Sequence, residues 1–129
     1  MERRRSPLRT QDVRTTRDLI EDLIGAWQQN DAHRAAAFFA PEARYCEASG
    51  NVVEGRAAIH EHFARYFRDG PAWRMDVEAI VAQDDRAAVA YRFGIKREGE
   101  LWHERAGCAF VRCRGGAVAE WREYQSDGL

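Results

Sequence analysis

From Trp73 onward the apolar residues of this chain stop recurring at helical spacing and begin to alternate, and they go on alternating almost to the end. Four long segments result, at about 73–83, 86–97, 101–113 and 117–125. They are separated by Asp84-Asp85, Glu98-Gly99-Glu100 and Gly115-Gly116, which are hairpin signals. An antiparallel meander of this kind has one apolar face, and the residues before it have to supply the cover.

Those earlier residues read as helices with two short extended pieces between them. From about Val13 to Gln29, Leu19, Ile20, Leu23, Ile24 and Trp27 form one apolar stripe at helical spacing. Asn30-Asp31 ends it, and Asp31 is a suitable N-cap for a second helix ending near Ala40, before Pro41. Ala43–Ala48 predicts a short strand with Tyr45 and Glu47 on one face, and Gly50-Asn51 and Gly55 bound a second extended piece. Arg56–Arg68 predicts a third helix, with Ile59, Phe63 and Phe67 spaced for burial and Asp69-Gly70-Pro71 closing it. Helices first and a meander afterwards predict one α+β domain over 13–129, preceded by a polar tail over 1–12 that carries Arg3-Arg4-Arg5.

Composition narrows the function. With 129 residues and 45% hydrophobic content the chain can bury a core, and a net charge of -1 argues against nucleic acid or an anionic membrane as partner. No apolar run reaches membrane-spanning length, so a cytoplasmic location is expected. Of the 20 basic residues only Lys96 is lysine, a bias we assign to coding composition. Cys46, Cys108 and Cys113 lack CxxC spacing and read as reduced thiols. The four histidines lack ligand spacing: His60 and His62 sit two apart on a helix, His33 reads as solvent-side, and His103 shares a strand face with Arg105. A metal site and a cofactor are therefore not expected. No phosphate-binding loop or nucleophile elbow is present.

The last segment carries the chemistry. Alternation puts Ala119, Trp121, Glu123 and Gln125 on one face, so an indole and a carboxylate share one side of a sheet. That pairing suits an apolar pocket with one acid in it.

The order αα-β-β-α-ββββ, together with Trp27 and Asn30-Asp31, Phe39-Ala40-Pro41-Glu42-Ala43, Glu54-Gly55-Arg56-Ala57-Ala58-Ile59, Gly115-Gly116 and Trp121-Arg122-Glu123-Tyr124, resembles the SnoaL-like branch of the nuclear transport factor 2-like superfamily. The resemblance covers about residues 13–125. It implies a cone-shaped α+β barrel, three N-terminal helices on a strongly curved, mostly antiparallel sheet, an apolar cavity, a bacterial source and a homodimer. Ketosteroid isomerases of this group place a proton-shuttling acid where this chain has Glu47, and their two oxyanion donors where it has Leu23 and Ala109, neither of which can donate. Limonene-epoxide hydrolases match at Glu123 and Tyr45, while Glu47 replaces their asparagine and Ala90 and Arg92 replace their Arg-x-Asp pair.

The resemblance therefore implies an isomerase, cyclase or lyase acting by acid–base chemistry on a hydrophobic small molecule. Glu47 would be the base, Glu123 the second acid–base group and Tyr45 a hydrogen-bond donor. Trp27, Phe63, Trp73, Arg92, Arg105 and Trp121 would surround the ligand. Two carboxylates in one apolar pocket repel, which should raise one pKa. The alternative is a ligand-binding or dimerising module in which the glutamates are tied to Arg92 or Arg105. On segment 86–97 the readings divide. Pattern alone buries Val89, Tyr91, Phe93 and Ile95, whereas the resemblance turns Ala88, Ala90, Arg92 and Gly94 to the cavity and leaves the apolar face to a dimer partner. We take the second as the expectation, with His62 read as a surface or packing residue that could reach the cavity mouth.

Overall fold

A computed structural model describes residues 15–127; the tail assigned to residues 1–12, and Val13 at the start of the first helix, lie outside the described residues. The elements are α1 (Thr16–Gln28), α2 (Ala32–Ala37), β1 (Phe39–Cys46), β2 (Val52–Glu54), α3 (Arg56–Asp69), β3 (Ala72–Gln83), β4 (Arg86–Lys96), β5 (His103–Arg114) and β6 (Ala117–Asp127). One curved six-stranded sheet runs in the order β2-β1-β6-β5-β4-β3. All its neighbours are antiparallel except β1 and β6. The third helix follows two strands, so it is not N-terminal in the sense of preceding the sheet.

Local signals account for the helices. The Thr15 side chain accepts from the Asp18 N–H at 3.0 Å and starts α1, whose buried stripe is Leu19, Ile20, Leu23, Ile24 and Trp27 with Ala26 beside it. Asp31 starts α2 by accepting from the Arg34 N–H at 3.0 Å. That helix stops at Ala37 rather than near Ala40. Phe39 and Ala40 are already strand, because Phe39 pairs with Val118 and the Val118 N–H donates to the Phe38 carbonyl at 2.8 Å. Pro41 sits where the β1–β6 register shifts, which is where a residue without an N–H is tolerated inside a sheet. Sheet pairing outcompetes the local helix signal there, and it buries Phe39 completely.

On β4 the structure corrects the expectation. Val89 and Tyr91 are 0% and 2% exposed and point at the helices, with Phe93 packed against the same core. Ala88, Ala90 and Arg92 lie on the outer face; Arg92 sits 3.8 Å from Glu104 there, so it does not line the cavity. The reason is the period of a strand: sliding an alignment by one residue turns every side chain to the other face. The register agrees, since Val89 faces Ala109 and Ala109 faces Glu123 across the sheet.

The core between helices and sheet holds Trp121, Tyr91, Phe39, Ile20, Leu23, Ile59, Val89 and Val118 with almost no exposure. Each such side chain contributes roughly 1.5–3 kcal/mol on burial. The outer face is different. Phe110 and Tyr124 touch edge to face at 5.8 Å between ring centres and are 56% and 51% exposed. Glu120 is ringed there by Arg122 at 2.7 Å, Arg112 at 3.6 Å and Arg44 at 3.9 Å. Among the described residues no helix is long and apolar enough to cross a membrane.

Candidate functional site

Between the helices and the inner sheet face lies a cavity of about 250 Å³. Its wall is aromatic because four elements turn rings inward: Trp27 from α1, Phe63 and Phe67 from α3, Trp73 from β3 and Phe93 from β4. Phe67, Trp73 and Phe93 form a near-parallel row, with ring centres 6.0 and 6.1 Å apart and interplanar angles of 13° and 25°. Trp27 meets Phe63 edge-on at 5.6 Å. Flat apolar rings are the surface this cavity offers.

Polar groups enter at a few points. Glu123 on β6 is partly buried, and its Oε2 accepts from the Tyr45 hydroxyl at 2.9 Å and from the Trp121 indole at 3.1 Å. Both donors are neutral. Burial pushes the Glu123 carboxyl above the usual carboxylate range, while the Tyr45 and Trp121 bonds pull it back. Burial likewise pushes the Tyr45 hydroxyl well up, with Glu123 adding to the effect. Trp121 is fully buried behind the acid, edge-on to Trp27 at 4.9 Å, so it supports the carboxylate and does not form cavity wall.

Glu47 lies one residue past β1, at the turn that leads into β2. The Glu47 N–H donates to the Asn51 carbonyl at 2.8 Å, and the Asn51 side-chain amide donates to Glu47 Oε1 at 3.0 Å. Glu47 Oε2 meets His62 Nε2 on α3 at 2.9 Å. His62 holds the Glu47 carboxyl below its usual range; burial opposes this and Asn51 adds to it. The two carboxyls are thus driven apart, as expected, yet by different causes. Desolvation raises one and hydrogen bonding lowers the other, and their mutual repulsion is a minor contribution.

Glu47, Glu123, Tyr45, Trp27, Phe63, Trp73 and Arg105 all line the cavity. Arg92 and Trp121 do not, and His103 is exposed elsewhere. Tyr91 and Gln125 line it as well without having been placed in the site from the sequence, and so does His62, expected as a surface or packing residue that could reach the cavity mouth. Gln125 had a signal, since alternation puts it on the face of Glu123. His62 had a weaker one, its helical spacing from Ile59 and Tyr66.

The Glu47–His62 contact has a pH signature. A carboxyl held low in the fold contributes stability above its unfolded pKa, and that contribution is lost as pH falls through the folded pKa. Glu47→Gln is expected to cost on the order of 1 kcal/mol near neutral pH, and less below about pH 4.5. Denaturant titration across that range measures it. An acid-side decline identical in both proteins would mean that Glu47 gains nothing from His62.

A model of the family described as SnoaL-like domain matches residues 20–121. Solved structures share the fold at low identity. A protein with a ketosteroid isomerase-like fold from Catenulispora acidiphila, in complex with trimethylamine, is 18% identical with a TM-score of 0.74, covering 83% of this chain and 84% of its own. An LEH-like epoxide hydrolase of M. tuberculosis is 16% identical with a TM-score of 0.73, covering 84% of this chain and 76% of its own. The epoxide hydrolase/cyclase-like enzyme SalBIII, which has a role in pyran ring formation in salinomycin, is 16% identical with a TM-score of 0.75, covering 86% and 90%. No curated protein matches the chain.

Proposed function

The chain belongs to the SnoaL-like domain family, and within that fold we propose that it is a cofactor-independent proton-transfer enzyme, an isomerase, cyclase or lyase acting on a hydrophobic small molecule. One observation carries this reading: two carboxyls share a single aromatic cavity in unlike surroundings, Glu123 held by two neutral donors and Glu47 bonded to Asn51 and His62. Environments that separate two such groups separate an acid from a base. Glu47, kept ionised by His62 and Asn51, is the group ready to take a proton from carbon next to a carbonyl. Glu123, favoured in its protonated form by burial, is the group ready to deliver one at the oxygen or at a second carbon. Tyr45 orients Glu123. Arg105 lines the same cavity.

The test is hydrogen–deuterium exchange. Cyclic ketones incubated with the protein in D₂O should exchange their α-hydrogens faster than in buffer, read by NMR. Ligands that bind without any exchange would favour a second reading, binding without turnover. That reading draws on the aromatic wall and on the structural neighbour whose complex holds trimethylamine. The proposal includes pairing of two copies through the outer sheet face, where Phe110, Tyr124 and Val81 are exposed. Light scattering is expected to report a dimer that Phe110→Asp dissociates, and a monomeric native protein would remove this part.

A further inference from the structure

Leu23 and Ala109, the positions to which the resemblance to ketosteroid isomerases carries the two oxyanion donors, are both completely buried apolar residues. An enolate formed in the cavity therefore needs a donor from somewhere else. Tyr91 stands in the right place to supply one. Its ring is buried, but it lines the cavity on the inner face of β4, two residues from the strand position that faces Ala109.

Three features hold it. Tyr91 pairs across the sheet with Gly107, and its ring lies over that glycine so closely that a Cβ there would collide with the ring carbons and the hydroxyl. Gly107 thus gives the ring its seat. Gln125, paired with Gly107 on the next strand, donates its side-chain amide to the Tyr91 oxygen at 3.4 Å. A hydroxyl oxygen that accepts from an amide still has its own proton to give. Burial, and after it the nearby Glu123 carboxyl, push the Tyr91 hydroxyl above its ordinary value, so it stays protonated.

We propose that Tyr91 is the hydrogen-bond donor to the substrate oxygen, and that the substrate is a one- or two-ring carbonyl compound. The inference rests on the acid–base reading of this cavity. The size follows from the volume: an apolar cavity of about 150 Å³ takes benzene, and this one, about 250 Å³ with a row of near-parallel rings, takes a flat molecule little larger. The reaction balances without a co-reactant. Glu47 removes a proton from the α-carbon, the C–H electron pair moves into the C–C bond, and the carbonyl oxygen takes up charge while hydrogen-bonded to Tyr91. The proton then returns at carbon. A donor fixed in the cavity wall stabilises the charge where it develops.

The experiment compares 2-naphthol, whose oxygen mimics an enol on two rings, with naphthalene, which has the same rings and no oxygen. The native protein is expected to bind 2-naphthol about tenfold or more tightly than naphthalene, and to raise the naphtholate fraction seen in fluorescence. Tyr91→Phe should bring the preference close to one and lose the naphtholate signal, with naphthalene affinity unchanged within about threefold. Gln125→Met, which removes the amide and keeps the length, should reduce both readouts in the same direction and serves if the phenylalanine variant does not fold. A preference that survives either substitution in a folded protein overturns the role of Tyr91. Equal binding of the two probes by the native protein does the same. Binding of neither overturns the substrate class. Because α-hydrogen exchange is measured separately, exchange that persists while the naphthol preference fails leaves the acid–base reading standing.

Discussion

Replacing Glu123 with glutamine is expected to lower proton exchange by about 10²–10⁴-fold and, at the same time, to make the protein more stable near neutral pH. The first half follows from the role given to the carboxyl. The second follows from its surroundings. Glu123 is drawn away from water among aromatic rings, so its folded pKa lies above the ordinary value. Between those two values the folded chain binds more protons than the unfolded one, and stability falls as pH rises. Above them the fold carries a desolvated charge.

Glutamine has the same shape and no charge, and its amide oxygen can still accept from Tyr45 and Trp121, the two donors that now meet at Oε2. Its gain should be on the order of 1 kcal/mol near neutral pH and should vanish toward the pH at which an ordinary carboxyl is protonated. Thermal melts of both proteins across that range check the sign. A glutamine variant that is less stable at neutral pH would mean that the donors outweigh burial and that Glu123 rests ionised.

How far the sequence could carry this site is clearest on the two strands that flank β5. On β6 alternation alone aligned Trp121, Glu123 and Gln125, and the structure has them on the inner face, with Tyr124 and Arg122 exposed on the other. On β4 the same alternation pointed to Val89, Tyr91 and Phe93, and an ungapped family alignment overrode it. The physical rule was the better guide, because apolar residues at every second position bury together whatever the residue names at matching places suggest. The seat of Tyr91 was out of reach by either route. It depends on Gly107 coming opposite, a register that closes only when the whole meander is assembled. The same holds for His62, which meets Glu47 because α3 crosses the end of β1; no spacing within the helix encodes that contact. The end of α2 was misplaced because pairing with β6, a partner far along the chain, recruits Phe39 and Ala40 into β1.

Trp121 is where fold and site depend on one side chain, and two substitutions separate the dependence. It is fully buried, packs edge-on against Trp27 and donates to Glu123. Trp121→Ala removes the ring and leaves a hole, at an expected cost of about 3–5 kcal/mol. That is a large part of the roughly 5–15 kcal/mol that holds a domain folded. Denaturant unfolding reads it directly, and a loss under about 1 kcal/mol would mean the packing around Trp27 is not the centre of the core. Trp121→Phe keeps a ring there but removes the indole donor. Since that bond favours the ionised carboxylate, its loss should raise the Glu123 pKa further. The limb of the pH–rate profile set by Glu123 should then move toward higher pH, while the limb set by Glu47 stays in place. A profile in which the Glu123 limb stays still or moves toward acid would show that some other group titrates in the reaction, and the acid would have to be sought elsewhere in the cavity.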